Sequence, residues 1–327
     1  MTTYKEIRGT NIEAVASDPS NPVEGQVWYN TTTNVVKGLV NNLGSWSSAN
    51  SMNTGRRSLA SAGTSTAALA IGGEPNSANT EKWNGTNWTE VNDLNTGRYY
   101  LAGCGTSTSA LAFGGSSPFL ALTESYNGTN WTEVADLNTA RNLLSGAGAS
   151  NTSALAFGGN DGNPPESTNK TELWNGSSWT AVNTLNTARR DGAGGGIQTS
   201  ALAFGGNDNT PPAALAETEL WNGTNWTEVN NMNTGRREIA GTGSSNTNAL
   251  AVSGVPVGSP PRSTDTESWN GTNWTEVGNI SAYKTRGAAA GTNTAAIAFG
   301  GETAATPGSA VTETFNAGPA TVTFDVS

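Results

Sequence analysis

Apolar and polar positions alternate along the chain in short runs. Ala-Leu-Ala-Phe at 110–113 sets Leu111 and Phe113 on one face and Ala110 and Ala112 on the other, and Gly114-Gly115 ends the run. A period of two, bounded by glycine, predicts a short strand. A segment of small residues, Tyr-Tyr-Leu-Ala-Gly-Cys-Gly at 99–105, precedes it across a Thr-Ser-Thr-Ser turn. After it come a loop at 116–122, then Thr-Glu-Ser-Tyr-Asn and Asn-Trp-Thr-Glu-Val separated by Gly128-Thr129. Asn-Gly between two aromatic-bearing segments signals a hairpin, because the tight turns that join twisted strands need positive φ. The unit therefore reads as four antiparallel strands: two joined by a short turn, a longer loop, and two joined by an Asn-Gly hairpin.

This unit occurs six times, each opened by an arginine: Arg56, Arg98, Arg141, Arg189, Arg236 and Arg286. Periods of this length belong to solenoids, arrays and propellers. Residue size is graded within the unit. First strands are built from Gly, Ala and Ser. The third carry Trp83, Tyr126, Trp174, Trp221, Trp269 and Phe315, and Trp88, Trp131, Trp179, Trp226 and Trp274 open the fourth. Small near an axis and large at a rim is what a radial wedge requires, so four-stranded blades of a propeller are expected.

The pattern resembles the Kelch repeat of β-propellers. The matching features are Gly72-Gly73, Gly114-Gly115, Gly158-Gly159, Gly205-Gly206 and Gly300-Gly301 after the second strand, the aromatic about five residues before a Trp, and the Arg opening the next unit. Unit five departs with Ser253-Gly254. The resemblance covers residues 46–327 and implies an all-β fold: a six-bladed Kelch-like β-propeller over 44–327, preceded by a short N-terminal hairpin arm over 1–43. It implies little about activity, since one fold hosts many functions. The last unit lacks the fourth-strand Trp. Either Val322, Phe324 and Val326 form its fourth strand, or Gly-Ser-Trp-Ser-Ser-Ala at 44–49 pairs with the last blade and closes the ring.

In the arm, Val-Trp-Tyr-Asn and Val-Val-Lys-Gly-Leu-Val flank Thr-Thr-Thr-Asn and predict a hairpin. The residues Ser17-Asp18-Pro19-Ser20-Asn21-Pro22 and Glu24-Gly25-Gln26-Val27-Trp28-Tyr29-Asn30 resemble N-terminal segments of structural proteins of tailed phages, especially marine ones. That resemblance implies a virion protein whose arm contacts other virion proteins. The alternative is an ordinary outer hairpin packed on the propeller.

Composition narrows the chemistry. A net charge of −10 with only 13% charged residues argues against nucleic acid or an anionic membrane as partner. There is no His, which removes the usual general base and metal ligand, and the single Cys104 allows neither an intramolecular disulfide nor a Cys-based zinc site. No secretory leader and no membrane-length apolar run is visible, so the expected location is a virion assembled in a host cytoplasm.

Features shared by every unit are expected to be architectural. The Trp residues suit packing between blades. The six arginines could ring one mouth of a central channel and bind an anionic group on a glycan, or each could pair with a carboxylate of its own or the adjacent blade. Glu81, Glu124, Glu172, Glu219, Glu267 and Glu313 recur at one position, whereas glycoside hydrolysis needs two carboxylates in unlike environments. Asp161 and Asp208, after Gly-Gly in units three and four, could ligate Ca²⁺, but no complete loop motif is present and a turn role is simpler.

What differs between units is the loop between strands two and three, the arrangement of a recognition surface. The expectation is a non-enzymatic virion structural or adhesion protein with no catalytic residues, cofactor or metal. It would contact a host-surface glycan or other virion proteins, with homo-oligomerisation open. The alternatives are a lectin-like propeller of cellular origin and a glycosidase.

Overall fold

The computed structural model describes residues 12–22, 25–116, 119–210, 214–258 and 262–324. These hold strands, turns and loops and no helix, hence no helix long and apolar enough to cross a membrane. Two compact units emerge. Ser45–Asn316 is one; the described residues through Gly44 join those from Ala317 onward in the other. The expected boundary therefore shifts, because the chain beyond Asn316 groups with the N-terminal residues. Glu24 and Val326 lie outside the described residues.

In the smaller unit, Val27–Asn30 pairs antiparallel with the start of Val35–Ala49 and parallel with Glu13–Val15. The Asp18 carboxylate accepts hydrogen bonds from Trp28 Nε1 (3.1 Å), Asn30 Nδ2 (2.8 Å) and Lys37 Nζ (2.7 Å). These bonds, that from Lys37 first, lower its pKa to about 2. The Ser-Asp-Pro and Trp-Tyr-Asn segments thus form one small network.

The larger unit is built from antiparallel sheets in sequence order. The first comprises Ala60–Thr64, Ala67–Ile71, Thr80–Trp83 and Trp88–Val91; the second Ala102–Thr106, Ser109–Phe113, Thr123–Tyr126 and Trp131–Val134. The third and fourth repeat this from Ser145 to Val182 and from Ala193 to Val229. The fifth comprises Ala240–Ser245, Asn248–Pro256, Ser263–Trp269 and Trp274–Val277, with Arg236–Arg237 pairing the extended end of its second strand. The sixth contains Ala288–Gly291, Ala295–Phe299 and the start of Thr312–Phe324. Its fourth strand is the end of Val35–Ala49. Of the two candidates for the closing strand, the N-terminal one takes the place, and its Trp46 stacks 5.2 Å from Phe315.

First strands follow one another side by side, and that of the sixth sheet lies beside that of the first. Their small residues are a steric requirement. A Cβ on Gly195 would stand 2.7 Å from the backbone N of Gly243 in the next sheet, and one on Gly194 would stand 2.5 Å from Phe157 Cζ. Aromatic rings fill the wider space outside. Phe113 of the second sheet meets Trp179 of the third edge-on at 5.0 Å, and Phe299 of the sixth meets Trp88 of the first at 4.7 Å. Edge-to-face contacts of this kind add to area burial.

One hydrogen bond recurs at the rim. The indole Nε1 of each fourth-strand Trp donates to a Thr of the third strand of the preceding sheet: Trp88 to Thr312, Trp131 to Thr80, Trp179 to Thr123, Trp226 to Thr171, Trp274 to Thr218 and Trp46 to Thr266, all at 3.0–3.1 Å. The circuit closes on itself. At the hairpins, only Gly takes positive φ (93° at Gly85). The preceding Asn84 serves instead through Oδ1, which accepts the N–H of Thr86 and Asn87.

Gly-Gly after the second strand meets two demands. The first position is left-handed, with φ near 60–70°, and the second lies near 87–121°, which only Gly adopts comfortably. Unit five satisfies both with Ser253 (φ 60°) and Gly254 (φ 116°). The Ser253 hydroxyl donates to Ser263 O and accepts from Lys284 N.

Candidate functional site

The segments entering the first strands carry the expected site arginines, and the structure places five of them in the interior. Arg56, Arg98, Arg141, Arg189 and Arg236 are at most 2% exposed. Each pairs with the glutamate of its own sheet: Glu81, Glu124, Glu172, Glu219 and Glu267, at 2.6–2.9 Å. Other guanidinium nitrogens reach backbone carbonyls, as Arg141 Nη1 does those of Gly158 and Lys170, whereas Nε of Arg98, Arg141, Arg189 and Arg236 is buried without a partner. The second carboxylate oxygen accepts the backbone N–H of the residue three before the arginine, as Glu124 does from Asn95 at 2.7 Å. Burial lowers the pKa of Arg98, Arg141, Arg189 and Arg236 against the pull of their glutamates. A ring of guanidinium groups open to ligand is thus corrected: these five clamp the linkers.

Arg286 is displaced from the series by two residues. The sixth clamp is Lys284, buried, with Nζ 3.2 Å from Glu313 Oε1 and without hydrogen-bond geometry to it. Burial lowers the Lys284 pKa. The pattern Asn-Thr-x-Arg at 53–56 aligns with Ser-Ala-Tyr-Lys at 281–284, a signal present in the sequence.

The residue after each clamp bridges to the residue after Gly-Gly, as in Arg57 with Glu74, Tyr99 with Ser116, Asn142 with Asn160 and Thr285 with Glu302. The variable loops and the linkers therefore share a face. The next residue turns left-handed in every sheet: Ser58, Tyr100, Leu143, Asp191, Glu238 and Arg286 have φ of 54–57°. Their backbones form a second closed circuit. Each N–H donates to the carbonyl of the preceding member, and Ser58 N donates to Arg286 O, at 2.7–3.1 Å. These six residues line a cavity of about 110 Å³.

The side chains of this ring are all different. Arg286 pairs with Glu238 at 3.0 Å and lies over the Tyr100 ring at 5.3 Å. Burial tends to lower the Arg286 pKa, but Glu238, Tyr100 and Asp191 outweigh it and hold it up. Burial raises Tyr100 to about 12. Asp191 is raised to about 6, by desolvation first and by Glu238 second, partly offset by Arg286, Arg190 and Arg237. The sequence reading missed this position, since nothing local marks a left-handed residue that is not glycine.

Asp161 and Asp208 occupy turns. Asp161 binds Lys170 at 2.7 Å; burial alone would raise its pKa, and the Lys170 bond prevails and lowers it. Asp208 accepts from Thr210 N and Oγ1. Among the described residues no group of three His, Cys, Asp or Glu could hold a metal ion. Cys104 is buried, and desolvation pushes its thiol up to about 12. Trp88, Trp131, Trp179, Trp226 and Trp274 are buried, as the rim circuit requires. Gly114, Gly115, Gly158 and Gly159 hold the turns beside the linkers, and a Cβ on Gly114 would meet Arg141 O at 2.6 Å.

No protein-family model matches the sequence, and no curated protein matches it. Many solved structures do match in shape. One, entitled "Structure of YjhT", superposes with a TM-score of 0.64 at 13% identity, over 81% of this chain and 95% of that one. Identity this low speaks for the fold alone. With the repeated four-stranded sheets, it defines an all-β protein of β-propeller type.

Proposed function

We propose that this protein is a six-bladed, Kelch-like propeller serving as a non-enzymatic structural or adhesion component of a tailed-phage virion. Its loop face would meet a host-surface glycan or a neighbouring virion protein, and its N-terminal arm would meet other virion proteins. The six-member circuits at rim and hub support the blade number. The observation that carries the functional reading is the contrast between a clamp repeated in every sheet and a hub ring whose side chains all differ. Residues that hold the scaffold recur; the residues of the hub ring do not. That is how a recognition surface is distributed on a rigid support.

The hub does hold two carboxylates in unlike surroundings, Asp191 and Glu238, which acid–base hydrolysis of a glycosidic bond would need. One fact speaks against turnover: Glu238 is engaged by Arg286 and Arg237. Mass spectrometry of purified virions tests the proposal: the chain is expected in the particle fraction at stoichiometric abundance. Its absence from every particle fraction overturns the virion role. Glycoside turnover lost in Asp191→Asn overturns the non-enzymatic reading.

A further inference from the structure

A cleft beside the hub has a different character. Its volume is about 530 Å³, within the range of small-ligand sites, and Arg57, Glu74, Pro75, Asn76, Tyr99 and Tyr100 line it. It lies between the linkers that enter the first and second sheets. Two features set it apart from the corresponding places around the ring.

The first is aromatic. The position after the clamp is Arg57, Tyr99, Asn142, Arg190, Arg237 and Thr285 around the six sheets. Only the second sheet presents a ring there, and the scaffold does not ask for one, since the bridge at this position is made by backbone. Tyr99 is half-buried, with its ring 5.0 Å from that of Tyr100 and tilted by 57°. Arg286 already sits over the Tyr100 ring, which leaves Tyr99 as the stacking face. The second feature is the loop. The connection at 72–79 is short, against 158–170 and 205–217 in the third and fourth sheets.

The charges in the cleft cancel. Arg57 bonds Glu74 at 2.8 Å and Glu302 at 2.9 Å, and Arg262 bonds Glu302 at 2.6 Å. Two cations face two anions, so neither a phosphate nor an ammonium finds an uncompensated partner. Hydrogen-bonding capacity remains. Each oxygen of a carboxylate accepts about two hydrogen bonds; Glu74 Oε2 meets both Nε and Nη2 of Arg57, and Oε1 receives Ser58 Oγ, so the free capacity lies on Oε1. Asn76 is exposed at the lip in a left-handed conformation (φ 55°). An aromatic face beside a neutral, hydrogen-bonding wall matches a ligand with one apolar C–H face and a rim of hydroxyls.

We propose that this cleft binds a neutral pyranose, stacked on Tyr99 and hydrogen-bonded through its hydroxyls to Glu74 and Asn76. The proposal rests on reading the loop face as a recognition surface, and it names the place and the ligand class.

The test uses the full chain with methyl glucopyranoside, methyl galactopyranoside and methyl mannopyranoside as separate probes. Saturation-transfer NMR detects binding, and a fluorescence titration gives the dissociation constant. At least one pyranoside is expected to bind saturably. Tyr99→Ala should weaken it at least about tenfold, Tyr99→Phe should keep it within about threefold, and Asn142→Ala, at the same position of the third sheet, should leave it unchanged. Melting curves of the variants confirm that the ring is folded. If no pyranoside binds, or if inorganic sulfate binds in preference, the cleft is not a neutral sugar site. If a pyranoside binds equally well to Tyr99→Ala, the cleft assignment fails while sugar recognition by the loop face stands. The virion role is judged separately, by the particle fraction.

Discussion

Replacing Glu124 by Ala removes one clamp. Its carboxylate accepts from Arg98 Nη1 at 2.6 Å, from Asn95 N at 2.7 Å and from Asn95 Nδ2 at 2.8 Å, and neither Glu124 nor Arg98 is exposed. After the change the Arg98 side chain keeps hydrogen bonds to Thr96 O at 3.3 Å and Ala112 O at 3.2 Å. A buried guanidinium is then left without its counter-charge, a situation that costs about 3–5 kcal/mol. At roughly 2–4 °C per kcal/mol for a domain of this size class, the midpoint should fall by about 6–20 °C. The double variant Arg98→Met/Glu124→Leu should recover most of that loss, because exchanging a whole buried pair for apolar side chains is often neutral. Glu313→Ala should cost less than Glu124→Ala, since its partner Lys284 stands off at 3.2 Å. Thermal unfolding followed by tryptophan fluorescence measures all three. A Glu124→Ala midpoint within 1 °C of the parent, or a double variant no better than the single, would refute the clamp.

Two further expectations concern single positions. Lys284→Arg should raise the midpoint by a few degrees, because the fork can reach strand carbonyls as the other five clamps do, and hydrogen bonds to charged groups contribute about 1.5–3 kcal/mol each before packing costs; a lower midpoint in the same unfolding assay would count against it. Asp191 has its carboxyl raised to about 6 from an ordinary 3.8, so between those values the unfolded chain has lost the proton that the folded chain retains. Stability should therefore fall as pH rises from about 4 to 6 and level off above, by at most about 3 kcal/mol at 1.36 kcal/mol per pKa unit, and by less for a partly open site. Asp191→Asn should remove this slope, stabilising the protein at pH 8 and leaving it unchanged at pH 3; melting curves across that range check it.

The strands were legible because a half-buried strand writes its period into the sequence, as Leu111 and Phe113 do against Ala110 and Ala112. The size gradient was legible because hub sterics exclude a Cβ outright at positions such as Gly195. The site was less so. Whether Arg98 faces a channel or a glutamate depends on a partner 26 residues away, and that relation has no local signature. Arg286 continues the arginine series by residue type, but the alignment of Ser-Ala-Tyr-Lys with Asn-Thr-x-Arg puts Lys284 opposite Glu313. Trp46 stands nearly 270 residues from the ring it stacks on, Phe315, so its place in the rim circuit could be seen only once the N-terminal strand closed the last sheet. The left-handed residues of the hub were hidden for a different reason: Leu143 and Asp191 are poor predictors of positive φ, and the circuit of backbone bonds imposes it on them.

That circuit bears on how the surface can change. A non-glycine residue with positive φ is strained by roughly 1 kcal/mol or more, and each of the six hub residues is compensated by a backbone hydrogen bond given and one received. The compensation involves no side-chain atom. Ser, Tyr, Leu, Asp, Glu and Arg all occupy the same conformation in one molecule, so the position tolerates small, aromatic, aliphatic and charged groups alike. The clamps behind the ring hold the linkers through Glu and Arg or Lys, and the rim holds neighbouring sheets through Trp and Thr. The backbone and the clamp thus fix the geometry of the linker, and the side chain at the hub position plays no part in holding it. A protein built this way can change the side chains of its hub without altering what holds it together.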